Sequence, residues 1–153
     1  MKTVAIDIRE HFRPIVGLRP WRVSLGVGSF LTFDFGRKVK EDHHLRGEWY
    51  LWIYQANWSL RHRDRKLADS DSRRTIIEVA TQRLEEAELT SVSFDPQTSV
   101  TEFQFGEFYL LVSPADYLDS PDDRDEYWLF FMPGNLVLTA GPDGVSLGSS
   151  DQS

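Results

Sequence analysis

The chain has 153 residues, 41% of them hydrophobic and 13% aromatic, with a formal net charge of −7 and no cysteine. That length suits one domain with a full core of its own. The lack of cysteine excludes disulfides, thiolate catalysis and cysteine-based zinc sites, and the acidic balance argues against a general nucleic-acid binder, which needs a basic face to displace phosphate counterions.

At the N-terminus Val4, Ile6 and Ile8 alternate as in a strand, while "DIREHF" also fits one helical turn ahead of Pro14. Asp7, Arg9 and Glu10 interrupt any apolar signal-peptide core, so the expectation is a cytoplasmic protein. "WRVSLGVGSFLTFDF" reads as a hairpin. A three-residue loop at Val27-Gly28-Ser29 opposes Leu25 to Leu31, Val23 to Phe33 and Trp21 to Phe35, and sends Arg22, Ser24, Thr32 and Asp34 to the other, wetter face. The glycines of "GVGSF" serve the turn, since neither a phosphate loop nor a nucleophile elbow follows them.

"EDHH" (41 to 44) gathers four metal-competent side chains, Glu41, Asp42, His43 and His44. Their spacing does not match a zinc motif, and adjacent histidines in a strand point to opposite faces. It reads as a polar connection between strands, with no metal or cofactor expected. The stretch "GEWYLWIYQANWSL" (47 to 60) follows. Its even positions are Tyr50, Trp52, Tyr54, Ala56, Trp58 and Leu60, and its odd positions start apolar and turn polar. A central strand covered on both sides has the character of the first half. Two uses are open: core packing, or a pocket lined by Trp52, Tyr54 and Trp58 whose Tyr and Trp polar tips supply its few directional contacts.

"RHRDRK" (61 to 66) carries four bases against Asp64. A helix is predicted over about 71 to 88, with Ile76, Ile77, Ala80 and Leu84 on its apolar stripe, Ser70 or Ser72 as cap, and Thr75 with Glu78 at capping-box spacing. "TEFQFGEFYLLV" reads as a second hairpin. A type II′ turn at Gly106-Glu107 opposes Phe105 to Phe108, Phe103 to Leu110 and Thr101 to Val112. The run 116 to 126 holds six acids, Asp116, Asp119, Asp122, Asp123, Asp125 and Glu126, against Arg124. It has no EF-hand glycine, and reads as a solvated loop or as a surface for a partner of opposite charge. In "YWLFFMPGNLVLTA" a turn at Gly134-Asn135 opposes Phe131 to Leu138 and Leu129 to Ala140. "GPDG" then adds Val145 and Leu147 as an edge strand, and residues 148 to 153 read as a disordered tail.

"GSFLTFDFG" (28 to 36) and "RGEWYLWIYQANWSL" (46 to 60) resemble paired segments in a family of small uncharacterised bacterial proteins. The resemblance implies a compact bacterial domain of unknown function and carries no catalytic residue. In size and charge the chain is also similar to toxin-neutralising immunity proteins.

The expected fold is therefore a single α+β domain over 1 to 147. Its sheet is mainly antiparallel, curved or part-closed, of about seven to nine strands, with the helix packed across one face. The expected core is Trp21, Val23, Leu25, Leu31, Phe33, Leu51, Trp52, Ile53, Tyr54, Ile77, Leu84, Phe103, Phe105, Leu110, Leu129, Phe131 and Leu138. The leading functional expectation is a non-enzymatic protein–protein module, immunity-like or homodimeric, without nucleic-acid or membrane partners. A small-ligand binder with an aromatic pocket stands second, and a hydrolase or metal enzyme using Glu41, His43 or His44 third.

Overall fold

The computed structural model describes residues 6–115 and 125–149. It contains α1 (Ile8–Phe12), β1 (Arg22–Leu25), β2 (Leu31–Glu41), β3 (His44–Ile53), β4 (Ala56–His62), β5 (Arg65–Asp69), α2 (Arg74–Gln82), β6 (Ser91–Asp95), β7 (Val100–Phe105), β8 (Phe108–Pro114), β9 (Trp128–Met132), β10 (Leu136–Gly141) and β11 (Gly144–Ser149). The strands are antiparallel, as expected, but among the described residues they number eleven, not seven to nine, and they form two sheets and not one curved sheet. One is ordered β1-β2-β3-β9-β10-β11, the other β5-β4-β8-β7-β6. β11 extends to Ser149, so regular pairing takes in Gly148 and Ser149.

The inner faces of the two sheets share one apolar core. Phe33 of the first stacks on Phe105 of the second with ring centres 5.7 Å apart. Trp128 meets Phe103 edge-on, and its indole N–H donates to the Thr101 hydroxyl at 2.8 Å. Two predicted hairpins hold their register. Val23 faces Phe33 and Leu25 faces Leu31; Phe103 faces Leu110 and Phe105 faces Phe108. The second turn has positive φ at Gly106 alone, the requirement of type II′.

The last hairpin departs from its predicted register by one residue. Met132 pairs with Leu136, leaving Pro133-Gly134-Asn135 as a three-residue loop, with φ of 81° at Gly134 and 60° at Asn135. A one-residue slip exchanges the faces of a strand. Trp128 and Phe130 therefore point into the core and are fully buried. Phe131 faces outward opposite Val137, and Leu129, although buried, lies on that same outer face opposite Thr139.

Each helix closes one open side of the sandwich. α1, capped by Asp7, which accepts from the Arg9 N–H at 3.1 Å, packs on edge strand β6. It drives Phe12 between the sheets, where the ring stacks on Phe130 at 4.2 Å and meets Trp128 and Phe103 edge-on. Pro14 stands in the 3-10 turn that follows. α2 lies against edge strands β1 and β5, not across a sheet face. It is shorter than predicted, ending at Gln82 and passing into a 3-10 turn over Arg83–Glu86. Ile77, Ala80 and Leu84 are buried as expected, but Ile76 is 47% exposed because only a narrow stripe faces the gap between the two edges. Polar side chains of this segment cover the free edge of β1. Glu85 accepts from the Val23 N–H at 2.9 Å, and the Arg74 guanidinium donates to the carbonyls of Leu25 and Gly26. An edge so occupied offers no template to another strand.

The predicted serine cap is not formed; Arg73 holds that position. Asp69 organises the approach instead, accepting from the Asp71 N–H at 2.9 Å and the Ser72 hydroxyl at 3.3 Å and pairing with Lys66. The Lys66 ammonium, followed by those two donors, holds the Asp69 carboxyl below its ordinary value, against an opposing effect of burial. Its stabilising contribution is complete above the unfolded-chain value near ~3.9 and is lost as pH falls through the lower folded value. Asp69→Asn should therefore destabilise by about 1 kcal/mol or less at pH 7, as for a partly exposed ion pair, and by almost nothing in acid below the folded value. Urea titrations at the two pH values check this.

Among the described residues no helix is long and apolar enough to cross a membrane.

Candidate functional site

The aromatic stretch 47 to 60 is two strands, not one. β3 ends at Ile53 in the first sheet and β4 begins at Ala56 in the second. The crossing is fixed by the chain entering β9. Tyr54 N–H donates to the Tyr127 carbonyl at 3.0 Å, and Gln55 N–H to that of Glu126 at 2.9 Å. The Gln55 side-chain oxygen accepts from the Glu126 N–H at 2.7 Å.

This break separates the predicted ligand set. Trp58, only 2% exposed, points into the core from β4, its indole N–H donating to the Ser29 carbonyl at 2.9 Å. Trp52 and Tyr54, which the core list also contained, lie on the outer face of the first sheet. There they meet three rings that were not assigned to the site. Phe30, from the β1–β2 loop, contacts Trp52 at 5.2 Å and Tyr54 at 5.4 Å. Phe131 approaches Trp52 at 4.9 Å, and Tyr50 does so at 5.8 Å. Tyr54 is 44% exposed and the other four rings are partly exposed. Trp52 is held by its neighbours in edge-on contacts, and its indole N–H has no hydrogen-bond acceptor. The outward turn of Phe131 follows from the one-residue register of the last hairpin, which sequence alternation alone does not reveal.

Polar groups border this stripe at both ends. Beside Tyr54 lie Asp125 and Glu126, which with Asp143, Thr139 and Ser146 line a depression of about 480 Å³ along β10 and β11. Tyr127 next to them is buried, which together with the Asp125 charge raises its phenol above the ordinary value. The remaining predicted acids, Asp116, Asp119, Asp122 and Asp123, lie outside the described residues.

At the other end the β2–β3 hairpin brings up Glu41, His44 and Arg46. A bulge makes this possible. Gly36 and Arg37 together oppose the single residue Glu48, with φ of 79° at Gly36. The extra residue shifts the parity of β2, so Glu41 faces the same side as Thr32 and Asp34. Glu41 pairs in register with His44, and the Arg46 guanidinium donates to the Glu41 carboxylate at 3.0 Å. Asp42 and His43 form the turn and are exposed. Among the described residues no three His, Asp or Glu side chains are grouped so as to hold a metal ion.

Asp34 departs from its predicted wet surroundings. It is fully buried, accepting from Arg22 Nε at 2.9 Å and from the Gly47 N–H at 2.8 Å. It is a structural anchor beneath the face.

Neither a family model, a curated protein nor a solved structure matches the chain.

Proposed function

We propose that this chain is a non-enzymatic protein–protein interaction module of the immunity-like kind, and that it meets its partner through the outer face of the six-stranded sheet. The observation that carries this reading is the contiguous cluster of Phe30, Tyr50, Trp52, Tyr54 and Phe131 on that face. The solvated side of an antiparallel sheet is ordinarily polar. Tyrosine, tryptophan and phenylalanine at the centre of a patch, with charges confined to its margin, are the composition of an interface core. The Asp125, Glu126 and Asp143 margin, on a chain of net charge −7, favours a partner with basic residues around an apolar centre.

A photo-reactive residue placed at Tyr54 should cross-link one basic protein partner in the producing cell, while the same group at Val79, on the exposed side of α2, should not. Trp52→Ala should abolish the product, and raised salt should slow its formation. No cross-linked protein from the Tyr54 position, or equal labelling from the two positions, ends the reading.

A further inference from the structure

Beyond a protein partner, we infer a small-molecule site at the hairpin end of the aromatic stripe, built to take a neutral saccharide. A cavity of about 380 Å³ opens there, lined by Glu41, His44, Arg46, Tyr50, Trp52, Phe131 and Asn135. Its volume falls within the ~300–1,000 Å³ typical of small-ligand sites.

The lining is divided by chemistry. Tyr50, Trp52 and Phe131 supply aromatic faces, braced by ring contacts at 4.9 to 6.3 Å, so little ordering remains to be done on binding. Glu41, His44, Arg46 and Asn135 supply planar polar groups on the rest of its lining. A pyranose presents the same two aspects, a C–H face that covers apolar rings and a girdle of hydroxyls that both donate and accept. A carboxylate accepts from two neighbouring hydroxyls, and a guanidinium donates to two.

Charge sets the class further. Glu41 and Arg46 are already paired with each other at 3.0 Å, so the rim offers neither an unbalanced cation nor an unbalanced anion. A phosphate or a carboxylated sugar would have to overcome Glu41, and an ammonium ligand Arg46. A flat aromatic ligand would use the floor but leave the polar rim unanswered. The uncharged polyhydroxyl ring uses both. The bulge at Gly36-Arg37 is the device that assembles the site, because it turns Glu41 onto the face that holds Tyr50 and Trp52.

The test is a titration of the purified full chain with methyl glucoside, N-acetylglucosamine, maltose and cellobiose, read by tryptophan fluorescence and calorimetry, with glucuronate, inorganic phosphate and indole as comparators. At least one neutral sugar should give a saturable signal and the comparators should not. Glu41→Ala and Arg46→Ala should each weaken that sugar about tenfold, as expected for one charge-assisted hydrogen bond. Tyr54→Ala, which is outside the cavity, should leave sugar binding intact while it disrupts partner capture, so the two readings fail separately. Unchanged melting temperatures for these variants show that the fold is kept. No response to any neutral sugar, stronger binding of glucuronate, phosphate or indole, or sugar binding indifferent to Glu41→Ala and Arg46→Ala would overturn the inference.

Discussion

Phe12→Ala should be among the most destabilising single substitutions in this chain, costing about 3–5 kcal/mol, the range for truncating a fully buried aromatic ring. The ring is 1% exposed and touches both sheets, stacking on Phe130 of β9 and meeting Trp128 and Phe103 edge-on. It comes from a helix of only five residues. Such a helix has no stability of its own, since nucleation is unfavourable and few hydrogen bonds repay it. Phe12 is therefore what attaches α1, and α1 is what covers the side of the sandwich next to β6. Removing the ring leaves a void between sheets that are held apart by Trp128 and cannot collapse onto it. The melting temperature should fall on the order of 10 °C. Phe12→Leu, which keeps much of the volume, should cost about 1.5 kcal/mol or less. Chemical denaturation of the three proteins checks the ordering. A cost below about 1 kcal/mol for the alanine variant would mean that α1 is not seated between the sheets.

The hairpins were legible where the turn length was legible. Gly106-Glu107 and Val27-Gly28-Ser29 each define their loops, and the opposed residues follow from counting. Pro133-Gly134-Asn135 admits two counts, and choosing the two-residue turn put Leu129 and Phe131 inside in place of Trp128 and Phe130. Alternation could not decide, because "YWLFFM" is apolar at every position and satisfies either register. The aromatic stretch 47 to 60 failed for a different reason. Period-two patterning describes a strand but not the sheet to which it belongs. The break at Tyr54-Gln55 depends on Glu126 and Tyr127, about seventy residues along the chain. The predicted ligand set is divided as a result: Trp52 and Tyr54 lie together on the outer face, with ring centres 6.3 Å apart, while Trp58 is in the core. The cavity's polar lining is foreshadowed in the sequence only by "EDHH", which reads as a polar connection between strands. Its partner Arg46 and the bulge that aims Glu41 carry no local signature beyond the glycine at Gly36.

That bulge underlies the second large effect. Gly47→Ala should destabilise the fold by about 3 kcal/mol, the upper end of the usual cost of forcing atoms into a filled interior. A β-carbon at Gly47 would lie 2.5 Å from the Phe35 nitrogen, 2.6 Å from its carbonyl oxygen and 2.7 Å from the Trp49 oxygen. All three are backbone atoms of the β2–β3 pairing, so no side-chain rotation relieves the clash. The strands would have to separate where Asp34 accepts the Gly47 N–H at 2.8 Å. Moving that backbone donor away strips a buried carboxylate of one of its hydrogen bonds, leaving the Arg22 side chain to compensate it. Because the same pairing aims Glu41, the damage should extend to the site: Gly47→Ala should lose saccharide binding in any fraction that remains folded, and Gly36→Ala should do so too, because its added β-carbon meets the Trp49 ring at 2.8 Å and its φ of 79° is one that alanine adopts only with strain. Asp34→Asn separates the two causes. It keeps the shape and an acceptor for the Gly47 N–H but removes the charge opposite Arg22, so it should cost less than Gly47→Ala and leave the cavity formed. Should Gly47→Ala melt within about 2 °C of the parent, a shift worth under about 1 kcal/mol in a chain of this size, the close crossing of β2 and β3 would be wrong, and with it the placement of Glu41 beside Tyr50 and Trp52.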